Sequence, residues 1–178
     1  MTAARHTRRS LRHLVHGLLL ALAVVSAGVA LLERILPLTG RTTLVVAGPS
    51  MVPALQVGSA IVIERVDPGE LAVGDVVSVK SGPAKAIFTH RIVRIVQRDG
   101  GLWLETRGDA NSAPDPSIVP ASDVLGRVVV AIPLAGYFVA LASSPSGLVL
   151  IAALGLLLLT LGWILDPKRS MGSKPALA

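Results

Sequence analysis

Three short segments of this 178-residue chain carry residue types that can do acyl-transfer chemistry together. The first is Gly48-Pro49-Ser50-Met51-Val52-Pro53, where a β-branched run ends in a Gly-Pro turn that presents a serine. Serine is a weak nucleophile until a neighbouring base takes its proton. A rigid turn fixes its oxygen and offers a backbone N–H to a developing oxyanion. Taken alone, the segment reads as an ordinary loop. The second is His90, the one histidine between residues 33 and 147; His6, His13 and His16 lie in or beside the basic N-terminal segment. A lone histidine excludes a multi-histidine zinc site there and leaves a general base, a structural hydrogen-bonder or a surface residue. The third is Thr106-Arg107-Gly108-Asp109-Ala110-Asn111-Ser112-Ala113-Pro114-Asp115-Pro116, which sets two carboxylates in a loop after a strand. Either Asp109 or Asp115 can accept the imidazole N–H of His90, fixing its tautomer and stabilising the imidazolium. Each aspartate alone also reads as Asx-turn chemistry or solvated charge.

The elements that must hold these side chains read as strands. Thr42–Ala47, Ala60–Glu64, Asp75–Lys80, Ala86–Val96, Leu102–Arg107 and Gly126–Ile132 are short, rich in β-branched residues and bounded by turn formers. Pro68-Gly69, Gly82-Pro83 and Asp99-Gly100-Gly101 are turn signals between them. No stretch of 40–132 carries sustained helical periodicity. The expected fold class is mainly β, a small antiparallel domain.

Two apolar runs frame that domain. Leu14–Leu32 has no formal charge and a single histidine, and Leu148–Leu165 has only Thr160 polar. About 20 apolar residues cross a hydrocarbon core of roughly 30 Å, so both runs suit transmembrane helices. Trp163 sits near the end of the second, where an interfacial indole is expected. The composition agrees: 52% hydrophobic, 16% charged, mean hydropathy +0.67, too apolar for an ordinary soluble domain or a disordered one. With no cysteine, disulfides, thiolate metal sites and cysteine nucleophiles are excluded.

The net charge of +6 lies at the ends. Arg5, Arg8, Arg9 and Arg12 precede the first run and Lys168, Arg169 and Lys174 follow the second, while residues 33–147 hold ten basic and ten acidic residues. A nucleic-acid binder keeps its basic excess on the folded domain, so no nucleic-acid partner is expected. Basic flanks place both termini in the cytoplasm. The expected organisation is a cytoplasmic basic segment 1–13, a span 14–32, an extracytoplasmic β-rich domain 33–147, a span 148–165 and a cytoplasmic tail 166–178. The first run also has features of a cleavable signal peptide, but it is longer than the usual apolar region and continues unbroken through Val29, Leu31 and Leu32.

Taken together and in this order, Gly-Pro-Ser50-Met-x-Pro, Gly74-Asp75-Val-Val, Thr-His90-Arg-Ile-Val, Gly108-Asp109-Ala-Asn…Asp115 and Ile132-Pro133-Leu-Ala-Gly136-Tyr137 resemble type I signal peptidase. The branch indicated is the one shared by the endoplasmic reticulum, archaea and some Gram-positive bacteria. The resemblance covers about Leu44–Tyr137. The usual bacterial enzymes have a lysine base before an Arg-Val or Arg-Ile pair, whereas this chain has His90 before Arg91-Ile92; Lys80 and Lys85 are the other bases available. Histidine starts near a pKa of ~6.5 and needs no desolvation to act near neutral pH.

The resemblance implies a membrane-bound serine endopeptidase that removes signal peptides from exported preproteins after Ala-x-Ala. Ser50 would be the nucleophile, His90 the general base and then the acid for the leaving amine, Asp115 the third member and Asp109 a supporting carboxylate. The Ser50 N–H would be one oxyanion donor. Gly48 departs from the serine most of that branch has two residues before the nucleophile, leaving a second donor unassigned; the mitochondrial inner-membrane branch also has Gly-Pro-Ser-Met. No cofactor or metal is implied. The implied partners are signal peptides, the lipid bilayer and the secretion translocon. The rival readings are a membrane-tethered β domain that binds partners without protease activity, a self-cleaving repressor-type protease, which uses lysine and lacks flanking spans, and a secreted β domain anchored by the second run alone.

Overall fold

The computed structural model describes residues 2–81, 86–98 and 100–164. Lys85, the Gly82-Pro83 pair, Asp99, Leu165 and the segment 166–178 lie outside the described residues. The chain divides into a sheet domain, Leu31–Ala140, and a helical unit formed by residues 1–30 and 141–178.

In the helical unit, α1 (Thr2–Ile35) runs through both the basic segment and the first apolar run. Pro37 cannot continue it, because proline lacks an N–H and clashes with the preceding turn. The chain tightens into a 3₁₀ turn, Leu36–Thr39, closed by Gly40 at φ +74°. The other long helix, α3 (Pro145–Ile164), has proline in its first turn, where the missing N–H costs nothing. The Ser144 hydroxyl accepts the Gly147 N–H at 3.0 Å and caps its start. Each helix carries an apolar stretch long enough to cross a bilayer, and α3 is apolar around its whole circumference. This is the architecture of a membrane-associated protein.

The sheet domain holds seven antiparallel strands: β1 (Arg41–Val45), β2 (Ala60–Glu64), β3 (Val76–Ser81), β4 (Ala86–Arg98), β5 (Gly101–Arg107), β6 (Val119–Pro120) and β7 (Val124–Ile132). Their order in the sheet is β1-β2-β7-β3-β4-β5-β6. The last strand therefore enters between β2 and β3 and joins two halves that are separate in sequence. Register shifts at Val62/Ile63, Ser78/Val79 and Ile92/Arg94 bend the sheet into a curled half-barrel, since an extra residue on one strand increases local twist.

Curling gives the sheet a core on each face. Val77, Val79, Ile92 and Leu104, all fully buried, pack with Leu71, Val119 and Ala121. Met51, Leu55, Ile61 and Ile63 form the second cluster, with Val76 against them. Because successive strand residues point to opposite faces, Val76 and Val77 serve different cores. The mainly β, antiparallel class expected from the sequence is the class observed, with all six expected strands present. A seventh, β6, was not expected: two residues, one a proline, leave no periodic signal. Nor was the helix α2 (Ala135–Ser143), whose mostly apolar residues show no polar face to set a period. Its start is held by the Gly136 N–H on the Gly58 carbonyl at 2.9 Å.

Candidate active site

Beyond β1 the chain stays tied to the sheet, with the Val46 N–H on the Ser59 carbonyl (2.9 Å) and the Gly58 N–H on the Val46 carbonyl (2.8 Å). Gly48-Pro49 then turns it, and the Val52 N–H closes the turn on the Pro49 carbonyl at 3.0 Å. Ser50 sits at this turn, partly exposed, while the next residue, Met51, is 1% exposed. A large side chain driven into the core fixes the backbone on which the serine hydroxyl stands. Among the described residues the Ser50 N–H makes no hydrogen bond.

His90 lies on β4 opposite Val77 of β3. Its Nε2 is 3.0 Å from Ser50 Oγ and its Nδ1 2.6 Å from Asp115 Oδ2. The ring tilts against Phe88, two residues earlier on the same face, with centroids 5.1 Å apart. A carboxylate only accepts hydrogen bonds, so the Nδ1 hydrogen points at Asp115 and Nε2 is left to accept the Ser50 hydroxyl proton. The imidazole and the carboxyl are 12% and 16% exposed, which reduces screening of their interaction by water. Such a line can deprotonate a serine and hold the resulting imidazolium.

Asp115 is placed by β5. Thr106, fully buried, lies opposite Ile92 and so shares a face with His90. Its hydroxyl donates to Asp115 Oδ2 at 2.6 Å, and its carbonyl accepts the Asp115 N–H at 2.8 Å. The intervening loop also grips the serine, since the Ala110 N–H donates to the Ser50 carbonyl at 2.8 Å.

Asp109 goes elsewhere. Its two oxygens take Arg91 Nε and Nη2 at 2.8 and 2.6 Å, and Arg91 Nη1 reaches the Gly74 carbonyl at 2.8 Å. Arg91 follows His90 on β4, so its side chain leaves the opposite face. The hydrogen-bonded guanidinium holds the Asp109 carboxyl below its ordinary range, with Arg107 and His90 adding smaller electrostatic contributions. The same hydrogen bond raises Arg91. The structure thus brings Ser50, His90 and Asp115 into one hydrogen-bonded line and sets Asp109 on a separate clamp between two loops.

Of the other bases considered, Lys80 is exposed opposite Ile87. On α1, the His16 Nδ1 hydrogen points at the Arg12 carbonyl, 2.7 Å away. Among the described residues no three His, Asp or Glu side chains cluster as a metal site requires. Arg91, Thr106 and the Ala110 N–H have no role expected from the sequence. Strand alternation from His90 was the available signal for Arg91, which it sets on the face away from the imidazole.

A groove of ≈390 Å³ opens beside Ser50, lined by residues 44–48, Ser50, Met51 and residues 87–89. β1 is the edge of the sheet, and pairing of β4 with β5 begins only at Arg91. Both walls of the groove therefore come from strand segments with one unpaired edge among the described residues. A second hollow of ≈260 Å³ is lined by Phe88, His90, Asp115, Pro116, Ser117 and Val119. Compared with known proteins, the chain matches no family model and no curated protein sequence.

Proposed function

We propose that this protein is a membrane-bound serine endopeptidase of the signal-peptidase kind, which removes N-terminal signal peptides from exported preproteins after small residues. The observation that carries the reading is the Ser50–His90–Asp115 line, with contacts of 3.0 and 2.6 Å. Ser50 Oγ attacks the scissile carbonyl as His90 Nε2 takes its proton, and Asp115 holds the imidazolium. His90 returns the proton to the leaving amine, and water then releases the acyl group by the reverse route. The Ser50 N–H, which makes no hydrogen bond among the described residues, is the backbone donor for the developing oxyanion.

The groove supports the substrate side of this reading. An extended peptide lying in it can add to unpaired strand edges, so that main-chain hydrogen bonds supply affinity and alternate side chains enter the walls. Apolar walls formed by Leu44, Val46, Met51 and Phe88 suit the small side chains of an Ala-x-Ala site. Basic flanks put both termini in the cytoplasm and the sheet domain outside. A signal peptide still in the bilayer then presents its cleavage site to a nucleophile tethered to the same membrane, which lowers the entropic cost of encounter.

Cleavage of a preprotein with an Ala-x-Ala site by the purified protein in detergent, compared with Ser50→Ala, tests this. Cleavage at that site by the wild type alone is the expected result. Equal inactivity on several preproteins would favour a binding or accessory protein, and cleavage by Ser50→Ala would remove Ser50 from the mechanism.

A further inference from the structure

Among the described residues, Ser50 and Thr89 bear the only polar side chains that line the groove beside the nucleophile. The Thr89 hydroxyl is 2.8 Å from that of Ser78, which is 0% exposed and has no other hydrogen-bond partner among the described residues. One proton lies between the two oxygens. If Thr89 supplied it, the Ser78 hydrogen would be left unpaired in the core, a costly arrangement. Ser78 therefore donates, and the Thr89 hydrogen is free to point into the groove.

The side of the scissile bond follows from the chemistry. The imidazole must deliver its proton to the leaving amine, so the hollow that His90 lines belongs to the leaving segment. The groove that Ser50 lines without His90 takes the residue whose carbonyl is attacked. Resting on the peptidase reading above, we propose that Thr89, oriented by Ser78, is a specificity-determining donor that recognises a side-chain oxygen on that residue. Serine is then accepted there as a preferred small residue, beyond what the size of the groove alone dictates.

The test compares peptide substrates that differ only at this residue, serine against α-aminobutyrate, which has the same size without the hydroxyl. The wild-type enzyme is expected to favour serine in kcat/KM by about three- to tenfold, the effect of one hydrogen bond. The double variant S78A/T89V removes both partners together and leaves no orphaned hydroxyl; its ratio of kcat/KM for serine over α-aminobutyrate is expected to fall to about one. Thr89→Ser keeps the donor and is expected to keep the preference. Equal wild-type rates on the two substrates overturn the proposal without any variant, and so does a preference that survives in S78A/T89V. Wild-type protein that cleaves neither peptide nor any preprotein overturns the peptidase reading itself, and this proposal with it.

Discussion

Gly108 approaches Ser50 so closely that a methyl group in place of its hydrogen would lie 2.6 Å from the Ser50 carbonyl oxygen and 3.0 Å from its Cβ. The contact joins the end of β5 to the serine turn, two segments more than fifty residues apart in sequence. Backbone is packed on backbone there, so no side chain can swing away to make room. Replacement of Gly108 by alanine is expected to cost about 1–3 kcal/mol of stability, as overpacking does. A shift of about 1 Å in the Ser50 oxygen can cost roughly 100-fold in rate. Thermal unfolding and preprotein cleavage of Gly108→Ala check the two effects separately.

Asp115→Asn is expected to keep the fold while removing most activity. An amide in that place can donate to Nδ1 and reverse the imidazole tautomer, so Nε2 would carry a hydrogen towards Ser50. In a serine–histidine–acid site this exchange lowers kcat by about 10⁴-fold. Single-turnover cleavage by Asp115→Asn, alongside His90→Ala, measures it. An Asp115→Asn variant as active as wild type would separate the aspartate from the chemistry.

Asp109 has a different signature, readable in stability against pH. Its folded carboxyl titrates below its ordinary range because Arg91 hydrogen-bonds the charged form. Such a group contributes stability that is full above the unfolded value, about pH 4, and is lost as pH falls through the depressed folded value. Asp109→Asn is therefore expected to be less stable than wild type near neutrality, with the gap closing below about pH 4. Denaturant midpoints of both proteins between neutral and acid pH test this, and a constant gap would contradict it.

The absence of cysteine makes the proposed orientation easy to measure. A cysteine at Val73, which is 62% exposed on the sheet domain, is expected to react with a membrane-impermeant maleimide in intact cells. One at Ser10, in the basic segment, is expected to react only after permeabilisation. The opposite pattern would invert the proposed topology.

Periodicity and composition alone were enough to delimit two membrane-length apolar runs and six of the seven strands, because those signals are local: a residue's burial on one face recurs every two positions in a strand, and an uncharged run needs no partner to be recognised. Ser50 and His90 stood out for the same reason, one at a rigid turn and the other the sole histidine of its domain. What only the tertiary structure decided is pairing at a distance. Asp109 and Asp115 are equivalent by type and neighbourhood in the sequence. The fold separates them, because Thr106 faces the His90 side of the sheet and holds Asp115 there, while Arg91, one residue after His90, draws Asp109 to the other side. The close approach of Gly108 to Ser50 is likewise a matter of tertiary structure: it joins segments from the two halves of the sheet, which β7 unites by entering between β2 and β3, and no local pattern records that those halves will become neighbours.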